Sequence, residues 1–164
     1  MFLTNARSHL MKLLTPARMV SAHCDIPCGI YDPHQAQLAA HSVIRMIDLI
    51  AAVERSDETK AEHDIARYVA VKEEHAEIVK REVRIIWGDY FKAEHLQEYP
   101  NLHTLVFDIM KLASKGRQTL DKAAAEELLA KVQEFAEIFF KTKGRDTQRI
   151  ATVYPTGGEV VQAA

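Results

Sequence analysis

The chain has 164 residues, close to the usual size of one domain and long enough to bury a full hydrophobic core. Its composition is ordinary for a globular protein, with 48% hydrophobic and 27% charged residues, and a formal net charge of −2 offers no basic surface for a polyanion. No apolar run approaches the roughly 18 residues needed to cross a bilayer, so neither nucleic acid nor a membrane is an expected partner.

The charge is unevenly distributed. Residues 1–22 hold Arg7, Lys12 and Arg18 and no acidic residue, which makes them +3 and leaves −5 for the remainder. Such a shift marks them as a separate segment. They lack an uninterrupted apolar stretch of about 7–15 residues, as a secretory signal would need, because Lys12, Thr15, Pro16 and Arg18 break it up. The small residues of "VSA" before His23 resemble a cleavage site. Residues 1–22 are therefore read as a leader that is removed, with a frayed N-terminal extension as the alternative.

The remainder reads as helices. Asp32 and Pro33 supply a cap and a preset helical φ, so a helix is expected from there to about Val53, with Leu38, Ile44, Ile47, Ile50 and Val53 as its buried stripe. After the polar "ERSDETK", a second helix spans Glu58 to Trp87, burying Ile65, Tyr68, Val69, Val79, Val83 and Ile86 and stopping at Gly88. An aromatic-rich link, "DYFKAEHLQEYP", is expected to be irregular. A third helix fits Asn101 to Lys115, with Gly116 as its stop, and a fourth fits Thr119 to Thr142. Four amphipathic helices with short connections predict an all-α fold, an antiparallel four-helix bundle. Residues 144–164 have turn residues without periodicity and are expected to be mobile or to serve subunit contacts.

Metal-binding bundles often carry Glu-x-x-His pairs on facing helices. Here Lys60, Lys72, Lys92 and Pro100 stand three residues before His63, His75, His95 and His103, so that pattern is absent. There is no phosphate-binding glycine loop and no serine in a nucleophile elbow. What remains is "SAHCDIPCGIYDP" at residues 21–33, which contains both cysteines of the chain. Cys24 and Cys28 are too few for a four-ligand structural zinc site, and their separation is one residue longer than the Cys-x-x-Cys redox motif. A cut after Ala22 changes what they can do. His23 then brings a free α-amine and an imidazole next to the Cys24 amide and the two thiols. One amine, one deprotonated amide and two thiolates can share a plane, a geometry that suits Ni(II) or Cu(II), with the imidazole left to bind from above. Pro27 stiffens the loop and Gly29 permits a tight turn.

"HCDIPCGIYDP" closely resembles the nickel hook that opens mature nickel-containing superoxide dismutases. The resemblance continues at "WGDYFK" (Trp87 to Lys92) and "EYPNLHTLV" (Glu98 to Val106) and covers His23 to about Lys143. It implies a bundle over residues 23–143 with the metal-binding hook at 23–31, one nickel ion per subunit, a homohexamer, and a dedicated peptidase that removes the leader. By position, His23 would give its α-amine and an axial imidazole, Cys24 a thiolate and its amide nitrogen, and Cys28 the second thiolate. Asp25, Ile26 and Pro27 would shape the hook, Tyr31 would cover the open face of the metal, and Tyr90 would support Tyr31. The implied activity is an antioxidant one, the disproportionation of superoxide to oxygen and hydrogen peroxide by Ni(II)/Ni(III) cycling.

Where the family commonly has a glutamate and an arginine that hold the axial imidazole, this chain has Ala39 and His75. The expectation is that His75, together with His41, takes over by hydrogen bonding, or that the imidazole is held more loosely. Two readings from other classes stand beside the enzyme. One is a thiol-based metal carrier or redox sensor that cycles Cys24 and Cys28 between dithiol and disulfide. The other is a helical interaction module with incidental cysteines. Reduced thiolates and the weak secretion signal favour the cytoplasm.

Overall fold

A computed structural model describes residues 29–164. The leader and residues 23–28 of the hook lie outside the described residues. The elements run α1 (His34–Ala51), α2 (Glu58–Ile85), a π-helical turn (Ile86–Tyr90), α3 (Ala93–Glu98), α4 (Leu102–Gln118), α5 (Lys122–Thr142), β1 (Thr147–Ala151) and β2 (Glu159–Ala163).

Four long helices close a ring, in which α1 packs against α2 and α5, and α4 completes the circuit by packing against the same two. Ion pairs give the directions. Lys122 at the start of α5 meets Asp48 near the end of α1 at 2.7 Å, and Arg117 at the end of α4 reaches Glu77 in α2 at 2.9 Å. α1 and α5 therefore run antiparallel, as do α2 and α4, where Trp87 just past the end of α2 donates to His103 at the start of α4 at 3.0 Å. The centre is filled by fully buried Phe135, Phe139, Leu102, Ile109 and Leu128, with Val79 and Val83 from α2. Truncating one of the phenylalanines to alanine would cost roughly 3–5 kcal/mol.

The helix ends depart from expectation in instructive ways. Asp32 does accept from the amide of His34 at 2.7 Å, within the first turn of α1. The buried stripe of α1, however, is Ala36, Ala40, Val43, Ile44 and Ile47, together with Gln37 and His41, and Leu38 is exposed. Small residues dominate because α1 is covered from three sides, by α2, α5 and the C-terminal strands. Gly88 does not stop α2. The chain continues through the π turn, which closes with the Phe91 amide on the Ile86 carbonyl at 3.3 Å. The link expected to be irregular holds α3, which starts where His95 Nδ1 accepts from the Lys92 amide at 3.1 Å.

Gly116 is likewise not a terminator. It lies inside α4, buried, where a Cβ would stand 3.4 Å from Val43 of α1. It serves close packing rather than a left-handed cap. The start of α5 is set by Asp121, whose carboxylate accepts from the Ala124 amide at 3.0 Å, so the helix begins three residues later than Thr119.

The tail is the largest correction. Residues 147–151 and 159–163 pair antiparallel, Thr147 opposite Ala163 and Ala151 opposite Glu159, and this hairpin lies on α1 and α5 with Val160 and Val161 buried. The fold is therefore mostly helical rather than all-α, and the segment expected to be mobile is folded onto the helices.

One buried cation organises the far end of α4. Lys72 is only 2% exposed, and its ammonium donates to the carbonyls of Gly116, Arg117 and Thr119 at 2.5, 2.7 and 3.1 Å. These are carbonyls that the end of a helix leaves without internal partners, at the pole where a positive charge is favoured. Burial pushes the Lys72 ammonium below its ordinary value of 10.5; Glu73 acts against that and Arg117 with it. A depressed lysine takes up a proton on unfolding, so its contribution to stability rises with pH between the lowered value and 10.5. Lys72→Met leaves the carbonyls without their donor and should cost about 3 kcal/mol in urea unfolding at neutral pH. The alkaline rise assigned to Lys72 should be missing from the variant's stability profile.

Candidate metal centre

The described chain enters the molecule directly after Cys28. Gly29 has φ +74°, a left-handed conformation that a side chain would strain, and Ile30 points into solvent at 80% exposure. Tyr31 then turns inward and packs against the main core, its ring centroid 5.8 Å from that of Tyr90. Buried Pro33 follows, and its carbonyl accepts from the Gln37 amide at 3.3 Å, fixing the first turn of α1.

Tyr90 is held from several sides. Its ring stacks on His95 at 5.5 Å and 18°, and meets Phe139 at 4.9 Å and Phe91 at 5.1 Å. Its hydroxyl lies 2.9 Å from Thr142 Oγ1, and the Thr142 hydroxyl in turn donates to the Phe139 carbonyl at 2.8 Å. Because the threonine proton is engaged there, the Tyr90 hydroxyl is the donor to Thr142. Its polar end thus faces the end of α5 and its ring is the surface offered to Tyr31. Lys143 caps the cluster, with its ammonium 4.9 Å from the Tyr90 ring and 5.2 Å from that of Phe139. The π turn makes this arrangement possible, since its wider helical step places Tyr90 on the inner side just before the chain leaves the helix at Phe91.

The other expected residues separate into two groups. His75 and Ala39 line one groove with His34, Gln35, Leu38 and Ser42, so the two positions that differ from the family pattern are neighbours in space. His75 Nδ1 donates to the Val71 carbonyl at 2.8 Å, which leaves Nε2 as the nitrogen available to another group. His41 is different. Its Nδ1 is 3.2 Å from Thr156 Oγ1 and its Nε2 is 3.1 Å from the Glu159 carbonyl. Both ring nitrogens are committed to the C-terminal hairpin, so the expectation that His41 shares in holding an imidazole is corrected. His23, Cys24, Asp25, Pro27 and Cys28 lie outside the described residues. Among the described residues no three His, Cys, Asp or Glu side chains gather in a way that could hold a metal.

His95, Thr142 and Lys143 escaped the sequence reading. The only signal for them was the density of aromatic and basic residues in "DYFKAEH" and at the end of α5, which names no partner.

The family model for nickel-containing superoxide dismutase matches residues 18–143. The chain belongs to that family. The superoxide dismutase [Ni] of Streptomyces seoulensis is 39% identical over 134 residues, which is 82% of this chain and 98% of the relative, and that of Streptomyces coelicolor matches with the same figures. Among solved structures, a native nickel superoxide dismutase superposes with a TM-score of 0.66 at 37% identity, covering 74% of this chain and 99% of that one. An apo structure of a nickel superoxide dismutase gives 0.64 at 34% identity, over 71% and 99%. The protein is thus an oxidoreductase, a nickel-dependent superoxide dismutase, and the carrier or sensor reading is not favoured. Residues 23–28 hold two thiols, and a cut after Ala22 would add an amine beside them and the Cys24 amide nitrogen, donors that suit Ni(II). Among the described residues no helix is long and apolar enough to cross a membrane.

If Tyr90 is the wall behind Tyr31, its ring matters more than its hydroxyl. Tyr90→Phe should cost about 1 kcal/mol in chemical unfolding, the net value of one hydrogen bond. Tyr90→Ala should cost roughly 3 kcal/mol and release the Tyr31 ring, read as narrowed Tyr31 side-chain resonances that the phenylalanine variant does not show.

Proposed function

We propose that the chain works as a processed enzyme in which removal of residues 1–22 turns His23 into the N-terminus and creates the metal site. One nickel ion per subunit would be held by the α-amine and imidazole of His23, the amide nitrogen and thiolate of Cys24 and the thiolate of Cys28. When bound, nickel supplies one-electron chemistry between Ni(II) and Ni(III), which converts superoxide to oxygen and hydrogen peroxide. Asp25 and Pro27 shape the hook. The helices serve as its platform, an antiparallel four-helix bundle with the hook at its N-terminus.

The observation that carries this reading is the seating of Tyr31. Three residues beyond Cys28, its ring is set against a Tyr90 fixed by His95, Phe139 and Thr142. In this reading the Tyr31 contact tethers the hook to a rigid aromatic wall, and Tyr31 would cover the open face of the site, ordering water and admitting only small anions. His75, whose Nδ1 is bound to Val71 and which lines a groove with Ala39, would steady the His23 imidazole through Nε2 where the family has an arginine. The active form is a cytoplasmic homohexamer, and the leader is cut by a processing peptidase; the match to the family over residues 18–143 supports both.

Intact-mass measurement of native, nickel-loaded protein tests the scheme at once. The expected species starts at His23 and carries one nickel per chain. Fully active protein that retains Met1 would falsify it, because a blocked or distant amine cannot join the ligand set. For His75, replacement by alanine should shift the electronic spectrum of the oxidised nickel and lower turnover several-fold, with nickel content unchanged; an unaltered spectrum removes His75 from the site.

A further inference from the structure

The family match ends at residue 143, yet the chain continues into the ordered hairpin. The hairpin packs more extensively on α5 than on α1, and the side chains that hold it to α1, Gln37 and His41, lie in the first two turns of that helix. Gln37 is fully buried and behaves as a piece of a third strand, its Oε1 accepting from the Val161 amide at 2.7 Å and its Nε2 donating to the Val161 carbonyl at 2.9 Å. One turn later, His41 donates from Nε2 to the Glu159 carbonyl, and its Nδ1 lies 3.2 Å from Thr156 Oγ1. The same Glu159 carbonyl accepts from Gln133 of α5 at 2.6 Å, so one backbone oxygen joins α1 to α5. The turn presses on the histidine: Gly158, at φ +80°, leaves only 3.1 Å between a notional Cβ and His41 Cε1, and Tyr154 meets the imidazole edge-on at 5.2 Å.

We propose that residues 144–164 are a strap that positions the metal-binding segment by fixing the helix it feeds. The reading rests on the hook function proposed above. Cys28 is six residues ahead of His34, and between them the chain is held to the body by Tyr31 and buried Pro33 before α1 begins. A helix free to shift or fray at its first turns would move that anchorage, since the Gln37 amide holds the Pro33 carbonyl. The hairpin prevents this with buried, doubly satisfied polar contacts, which act only at one spacing and so fix a position, where apolar packing would allow sliding. Gln37 and His41 are the positioning residues.

The test uses processed, nickel-loaded protein carrying Gln37→Leu, alongside a chain truncated after Lys143. Leu128→Ala, in the core away from the hairpin, provides a control with lowered thermal stability. Amide hydrogen exchange over residues 34–43 and the rate of nickel loss to a chelator are both read. Loss of the two Gln37 bonds should speed exchange in that segment and nickel loss about tenfold relative to wild type, more than in the control. Nickel loss from Gln37→Leu and the truncated chain at the rate of Leu128→Ala would overturn the strap, because a merely structural role predicts that equality. A truncated chain that fails to fold leaves the decision to Gln37→Leu, which keeps every strand residue. Wild-type protein cut at His23 that takes up no nickel would instead overturn the hook function, and the positioning role with it.

Discussion

The contact between Tyr31 and Tyr90 is the joint on which the functional end of the molecule depends. On one side lies a segment with a left-handed Gly29 and no regular structure before α1; on the other lies a ring that cannot move without breaking contacts to α3 and α5. Aromatic pairs at this separation and tilt contribute on the order of 1 kcal/mol beyond the area they bury. That energy is small, but the consequence is geometric. A loop of six residues has too little surface to form a core of its own, so a hook of the kind proposed would depend on the place where it joins the body.

The body is built to keep that place fixed. Tyr90 sits on a π turn between the end of α2 and α3, where an ordinary α-helical ending would have pointed it elsewhere, and the ends of α2 and α5 meet there through the Tyr90 and Thr142 hydroxyls. The opposite end is tied differently, by the Lys72 ammonium on three carbonyls of α4 and its Thr119 cap residue, and by the Lys115–Asp121 pair that spans the connection to α5. Lys115 holds the Asp121 carboxyl below the ordinary carboxylate range, with the Ala124 amide as the next cause. Polar contacts thus set the two ends and apolar packing fills the middle.

The residues that could be read without coordinates were those whose chemistry is local. Two thiols, an imidazole and a potential terminal amine within six positions make a candidate ligand set by covalent proximity, one that lies outside the described residues, and the long helices announce themselves through their apolar period. The hidden features all depend on partners far along the chain. Gly116 reads as a helix stop until Val43, more than seventy positions away, is seen to need the space of its missing side chain. "TQRIA" and "EVVQA" are short, mixed in character and separated by a loop, and they become strands because Gln37, His41 and Gln133 supply hydrogen bonds from helices. Leu38 carries the right hydrophobicity for a buried stripe but lies on the outer side of α1, where the groove toward His75 opens. Hydrophobic periodicity finds a helix and its approximate inner face; it does not reveal which small or polar residues a third neighbour will cover.

His41 illustrates how such ambiguity is resolved. From the sequence alone an imidazole two positions after Ala39 is as good a candidate for the metal's surroundings as His75. On a helix, however, a step from 39 to 41 is a rotation of about 200°, so the two side chains face nearly opposite directions. One direction leads to the groove of Ala39 and His75, the other to the hairpin, and the carbonyl of Glu159 and hydroxyl of Thr156 complete the valences of the ring that faces them. A histidine whose two nitrogens are both satisfied by its surroundings has no lone pair or proton left for a ligand's imidazole. His75, with one nitrogen bound to its own helix at Val71 and the other unspent, does.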